Sequence, residues 1–103
     1  MEYRIDFENM PWERPMAGVR AKAVIFGSRR LRLVEYTREM PPHWCERGHA
    51  GCVLEGRLEI TTDAGSFVCG PGDGIILPAG REHRHMAQAL TDMVRVVFVE
   101  DVE

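Results

Sequence analysis

Gly72-Asp73-Gly74-Ile75-Ile76-Leu77-Pro78-Ala79-Gly80-Arg81-Glu82-His83 is the stretch on which the reading of the fold turns. Together with Gly70 and Pro71, its glycines invite a phosphate-loop reading. Such a loop needs a helix to begin where the glycines end. Here Ile75-Ile76-Leu77 is instead a short apolar run closed by Pro78, which lacks a backbone donor. The stretch reads as turn, strand, turn and then a histidine.

Working outward, the flanking segments continue in strands. Arg81 to Leu90 has propensities that allow a helix. On a helix His83 and His85 would point about 200° apart, whereas on a strand both face one side. Met93 to Val99 is apolar except for Arg95 and reads as a buried strand. Upstream, Cys52 to Thr61 is rich in β-branched residues, with Gly56 marking a bulge or a close backbone approach. Asp63-Ala64-Gly65 forms a hairpin turn into a short strand at Ser66 to Cys69. Val19 to Phe26 and Leu31 to Tyr36 alternate with period two around Gly27-Ser28, and Met40-Pro41-Pro42 stops the second run. Residues 1–16 combine a short alternation at Tyr3, Ile5 and Phe7 with Pro11, Trp12 and Pro15, which predicts an edge strand and a wrapping arm. About eight short strands without a clear helix predict an all-β fold, a small antiparallel sandwich or barrel.

Length and charge narrow the function. A chain of 103 residues is most simply a single domain, 1–103, with one core and one pocket. Its 45% hydrophobic content places it among globular chains. The net charge of −3, without a long basic run, argues against nucleic acid as partner. Arg29, Arg30 and Arg32 read as a solvated strand face or turn. Glu2, Arg4 and Asp6 interrupt any N-terminal apolar run, so no signal peptide is expected, and no segment approaches a membrane span. Cys45, Cys52 and Cys69 are odd in number and lack C-x-x-C spacing, which predicts free thiols and a cytoplasmic location.

Chemistry concentrates at His43-Trp44-Cys45-Glu46-Arg47-Gly48-His49, after Pro41-Pro42. Imidazole and thiolate are common ligands of zinc and neighbouring first-row metals. His83 and His85 lie beyond the Pro-Ala-Gly turn, and the frame of strands is expected to bring the two segments together. Cys45 also suits a small buried hydrophobe, and His43 suits the pocket rim. Cys52 and Cys69 occupy core-packing positions.

These residues resemble two motifs of the cupin superfamily. The first runs Gly, five residues, His-x-His, three or four residues, Glu, six residues, Gly; His43-Trp44-Cys45, His49 and Gly56 reproduce the spacing from the first His onward. The second runs Gly, five residues, Pro-x-Gly, two residues, His, three residues, Asn; Gly72, Pro78-Ala79-Gly80 and His83 match it, with Ala87 in the last place. Thr37 stands where the first glycine of motif one belongs, Cys45 where its second His does, and His49 where its Glu does.

The resemblance implies a small antiparallel jelly-roll β-barrel that holds one divalent transition metal. Carried over by position, the ligands are His43, Cys45, His49 and His83. Three neutral imidazoles and a thiolate carry the same charge as three His and one Glu. The thiolate softens the site towards zinc, with Fe, Ni or Cu tolerated. His85 is either a ligand in place of His43 or a pocket acid/base. Glu35, in phase with Leu31 and Leu33, is a candidate proton acceptor projecting into the pocket, with a surface position as its alternative.

The resemblance further implies an isomerase, lyase or dioxygenase acting on a small polar molecule. The alternatives are a non-catalytic metal- or small-ligand-binding sensor, or a barrel whose histidines only hydrogen-bond. Exposed sheet edges and an apolar outer face predict a homodimer.

Overall fold

The structure is a computed structural model that describes residues 3–102. Its strands are β1 (Glu13–Met16), β2 (Val19–Phe26), β3 (Arg29–Thr37), β4 (His49–Glu55), β5 (Leu58–Thr62), β6 (Gly65–Cys69), β7 (Gly74–Leu77), β8 (His85–Ala89) and β9 (Met93–Asp101). They form a six-stranded sheet ordered β1-β2-β3-β9-β4-β7 and a three-stranded sheet ordered β6-β5-β8. Every pairing is antiparallel, and the fold is the expected all-β jelly roll. Among the described residues, the two helical pieces are single 3-10 turns, and no helix is long and apolar enough to cross a membrane.

Parity along the strands decides what lies between the sheets. On β9, Val94, Val96, Phe98 and Glu100 are buried and alternate with half-buried neighbours. Register carries that inner face to Tyr36, Val34 and Arg32 on β3, then to Val19 and Ala21 on β2. On the facing sheet, Leu58 and Ile60 pair with Ala89 and Ala87. Each fully buried aliphatic side chain here contributes about 1.5–3 kcal/mol.

Two segments differ from the sequence expectation for local reasons. The run from Cys52 to Thr61 is not one strand, because the chain leaves one sheet for the other at Gly56. That residue has φ of 82°, and a Cβ there would lie 2.2 Å from the Met93 carbonyl oxygen, so only glycine fits. At the N terminus, the strand falls at Glu13–Met16, and Phe7–Asn9 is a 3-10 turn. The segment before β1 docks on the outer face of β2. The Lys22 ammonium donates to the Phe7 carbonyl, and Arg20 and Lys22 lie 4.1 and 4.4 Å from the Trp12 ring centroid.

Glu35 does not enter the space between the sheets. Val34 and Tyr36 take the inner positions, so Glu35 lies on the opposite face with Leu31 and Leu33. There it accepts bonds from Arg20 Nε at 2.7 Å and Arg95 Nη2 at 2.6 Å, its cross-strand neighbours on either side. Burial pushes its carboxyl up from 4.5, and the bonds from Arg95 and Arg20 outweigh that and hold it lower. A carboxyl depressed by folding stabilises the fold above its unfolded value, and this contribution is lost as pH falls through the folded value.

Arg20 and Arg95 are 36% and 37% exposed, so solvent screens the cluster. Glu35→Gln is therefore expected to cost about 1–2 kcal/mol at pH 7. In urea unfolding series the gap to wild type should shrink as pH drops below 4.5. A gap independent of pH would show that the carboxylate charge contributes nothing.

Candidate metal centre

The site forms where the two sheets meet. Cys45 precedes β4 and pairs with His85, the first residue of β8, through reciprocal backbone bonds of 2.8 and 2.9 Å. Gly80 N–H donates to the Glu46 carbonyl at 3.0 Å, so the loop before β4 is tied to the loop before β8. His49 opens β4 on its inner face, opposite Leu77 of β7. Together these contacts bring one donor atom each from Cys45, His49 and His85 within 4.8 Å of one another. The His49 and His85 ring centroids lie 5.2 Å apart at an interplanar angle of 74°.

The ring nitrogens are assigned by their outer partners. His49 Nδ1 contacts the Glu100 carboxylate, leaving Nε2 towards Cys45 Sγ at 3.8 Å. His85 Nδ1 donates to the His83 carbonyl at 3.2 Å, leaving its Nε2 towards Cys45. An imidazole whose Nδ1–H is held by a carboxylate or carbonyl has the right tautomer and orientation to offer Nε2 to a metal. Hydrogen bonds from His49 and His85 draw the Cys45 thiol down to about 5 despite its burial, which favours the thiolate that a metal requires. Burial lowers the His49 pKa, but Cys45 and Glu100 raise it further. Without a metal this ring therefore holds the proton that an ion would displace. The donor set fits a first-row divalent ion.

Glu100 anchors this arrangement from behind. Its side chain is fully buried on the inner face of β9 and accepts from Arg30 Nη2 at 2.8 Å and Arg32 Nη2 at 2.9 Å. Burial pushes its carboxyl up, but bonds from His49 and Arg32 bring it down to about 2. One carboxylate thus contacts the histidine and is the common acceptor of two arginines.

Beside the cluster is a cavity of about 300 Å³, lined among others by Tyr36, His43, Arg47 and Leu77. Burial pushes the Tyr36 phenol up to about 12, so it retains its proton and can donate to a bound molecule.

The five histidine and cysteine candidates separate here. The structure brings Cys45 and His49 together and adds His85, which is buried. His43 is exposed at the cavity mouth, with Nδ1 3.1 Å from the Pro41 carbonyl. His83 ends the 3-10 turn Arg81–His83 with an exposed side chain, and takes part through its carbonyl. The shared strand expected for His83 and His85 does not form. Gly80, at φ of 124°, leads into a turn closed by His83 N–H on the Gly80 carbonyl, and strand alternation starts only at His85. Glu35 is on the other face of β3. Glu100, Arg32 and Tyr36 belong to the site without any motif marking them, and of the three Glu100 continues the alternation of Val94, Val96 and Phe98 by one step.

No protein of curated function matches this chain in sequence. Among solved structures, it is similar to the polyketide cyclase RemF from Streptomyces resistomycificus. The TM-score is 0.80 at 24% identity, covering 100% of this chain and 81% of that one. It is also similar to KdgF from Halomonas sp., with a TM-score of 0.78 at 21% identity over 100% of this chain and 96% of that one. A cupin-superfamily sugar phosphate isomerase from Silicibacter pomeroyi gives 0.74 at 18% identity, covering 97% of this chain and 76% of that one. At these identities the likeness concerns the fold. The model of the cupin domain matches residues 31–100, which span the inner strands and all three clustered donors. The chain belongs to the cupin domain family.

Proposed function

We propose that Cys45, His49 and His85 hold one divalent transition metal and that the chain is a metalloenzyme of isomerase, lyase or dioxygenase type. Its substrate is a small polar molecule admitted to the cavity. The observation that carries this reading is the convergence of three donors beside a cavity, with His85 Nδ1 on the His83 carbonyl and His49 Nδ1 against the Glu100 carboxylate. Sites with three protein ligands leave a place for one exogenous ligand, the usual arrangement where a metal is catalytic. When bound, such an ion supplies Lewis-acid polarisation of a substrate oxygen. The chain's own residues orient the molecule: Tyr36 donates a hydrogen bond and Leu77 excludes water on one side. One thiolate and two imidazoles favour zinc, with Fe, Ni or Cu following. A closed site with a fourth protein ligand would favour the sensing alternative, and the cluster among the described residues has three.

Elemental analysis of protein purified without chelator or added metal is expected to show about one equivalent of a transition metal, as a three-ligand site requires. Metal-free protein that also fails to take up zinc would sink the reading. After cobalt substitution, the thiolate charge-transfer band should be present in wild type and absent in Cys45→Ser. A band that persists would mean that sulfur is not a ligand.

We further propose a homodimer built on the outer face of the six-stranded sheet. Leu31, Leu33, Val97 and Val99 form a half-buried apolar stripe there. It is flanked by the row Arg20, Glu35, Arg95 and Glu55, whose alternating signs suit a two-fold copy of themselves. Light scattering at micromolar concentration should give twice the chain mass, and a monomer would refute it. The cysteines are free among the described residues, which suits a reducing, cytoplasmic setting.

A further inference from the structure

The cavity beside the metal cluster does not end at Arg32 and Arg47. Both residues, with Pro15, also line a neighbouring groove of about 420 Å³ that runs over the inner face between β1 and β3. The charged residues of that groove are Arg14, Arg30, Arg32 and Arg47 against a single acid, Glu13. A chain with three more acidic than basic residues thus gathers four of its thirteen cations around one opening.

Small side chains make the space. Ala21 and Ala23 occupy the inner positions of β2 at this end, where Ala21 faces Val34 and Ala23 faces Arg32. Glu100 satisfies part of the charge, pairing with Arg30 and Arg32. Arg14 and Arg47 have no acidic partner among the ion pairs of the described residues. Arginines left unpaired at the rim of a concave site suit an oxyanion, which a guanidinium binds through two parallel bonds.

From this continuity we infer that the molecule admitted to the metal site is a small organic anion. Its carboxylate or phosphate rests on Arg14 and Arg47 while its uncharged part extends past Arg32 into the cavity beside Cys45, His49 and His85. The inference rests on the proposed metal site for the identity of the substrate end, but anion capture itself needs no metal. Positive potential focused in a cleft also speeds the arrival of an anion, with an effect that salt suppresses.

The test uses metal-depleted full-length protein, whose metal content is measured separately, so that anion binding and metal binding succeed or fail independently. Malonate and inorganic phosphate are titrated by calorimetry and by amide chemical-shift changes, with malonamide as the uncharged control. One or both anions should bind, malonamide should not, and shifts should centre on residues 13–15, 30–32 and 47. The exposed-residue variant Arg14→Ala/Arg47→Ala should weaken binding by about tenfold or more, the scale of losing a charge-assisted bond, and raising salt should do the same. Arg14→Lys/Arg47→Lys should restore part of the affinity, because the charge is kept and the fork is lost. No binding of either anion, or equal binding by wild type and the alanine variant, would overturn the inference. If the anions bind as described but the protein takes up no metal, the groove stands and the proposed enzyme centre falls.

Discussion

His85→Ala is expected to strip the protein of metal, whereas His83→Ala should leave its metal content near that of wild type. The family spacing favours the opposite pair, since His83 occupies the motif position. Geometry argues for His85. It opens β8 on the inner face, its backbone is locked to Cys45 by two hydrogen bonds, and its Nδ1 is held by the His83 carbonyl. His83 is exposed in a turn, and its side chain lies outside the cluster. Removing an outer partner of a metal-bound histidine lowers affinity about 10–100-fold, so loss of the imidazole itself should exceed that. Competition with a chromophoric chelator measures both variants on one scale. Retained zinc affinity in His85→Ala together with loss in His83→Ala would mean that the turn rearranges on binding to present the motif histidine.

That contrast shows how far spacing carries. The jelly roll is legible because period-two runs, Gly-Asp and Pro-x-Gly turns are local signals, each read without knowing its neighbours. Cys45 and His49 are legible for a similar reason, being four residues apart on the lead-in to one strand. The choice between His83 and His85 depends on where a turn ends and alternation begins. Two residues on a strand would share a face, so the sequence offers no contradiction. Only the closure of the turn by the Gly80 carbonyl separates them.

The misplaced Glu35 has a different cause. β3 is apolar on both faces: Val34 and Tyr36 are buried within, while Leu31 and Leu33 are half-buried on the outer sheet surface. Alternation shows that Glu35 shares a face with the leucines but not which face looks inward. That is settled by register with β9, through the Val34–Val96 pair, and register is a property of two strands. Alternation likewise puts Glu100 on the face of Val94, Val96 and Phe98 without saying that this face looks inward. An acid at the end of an apolar strand reads as solvated until three donors, from β3 and β4, are seen to converge on it.

Glu100→Ala should damage stability and metal affinity together, and the pairing of the two effects is the test. Deleting this carboxylate leaves the Arg30 and Arg32 guanidiniums, only 25% and 16% exposed, without their common acceptor. It also frees His49 Nδ1 in a site where the ring is 10% exposed. Breaking a buried ion pair by removing one partner costs about 3–5 kcal/mol, so the denaturant midpoint should fall markedly even in metal-free protein. The His49 ring, no longer held by its outer partner, should bind metal about 10–100-fold more weakly. Glu100→Gln separates the contributions. It preserves the side-chain volume and one acceptor oxygen but turns an amide donor towards donors, so packing survives while the charge is lost. Gln should therefore fall between wild type and Ala in stability yet match Ala in metal affinity, if the carboxylate acts on His49 through charge and tautomer rather than through packing. Metal affinity that instead tracks the stability of the two variants would assign Glu100 a purely structural role beneath the site.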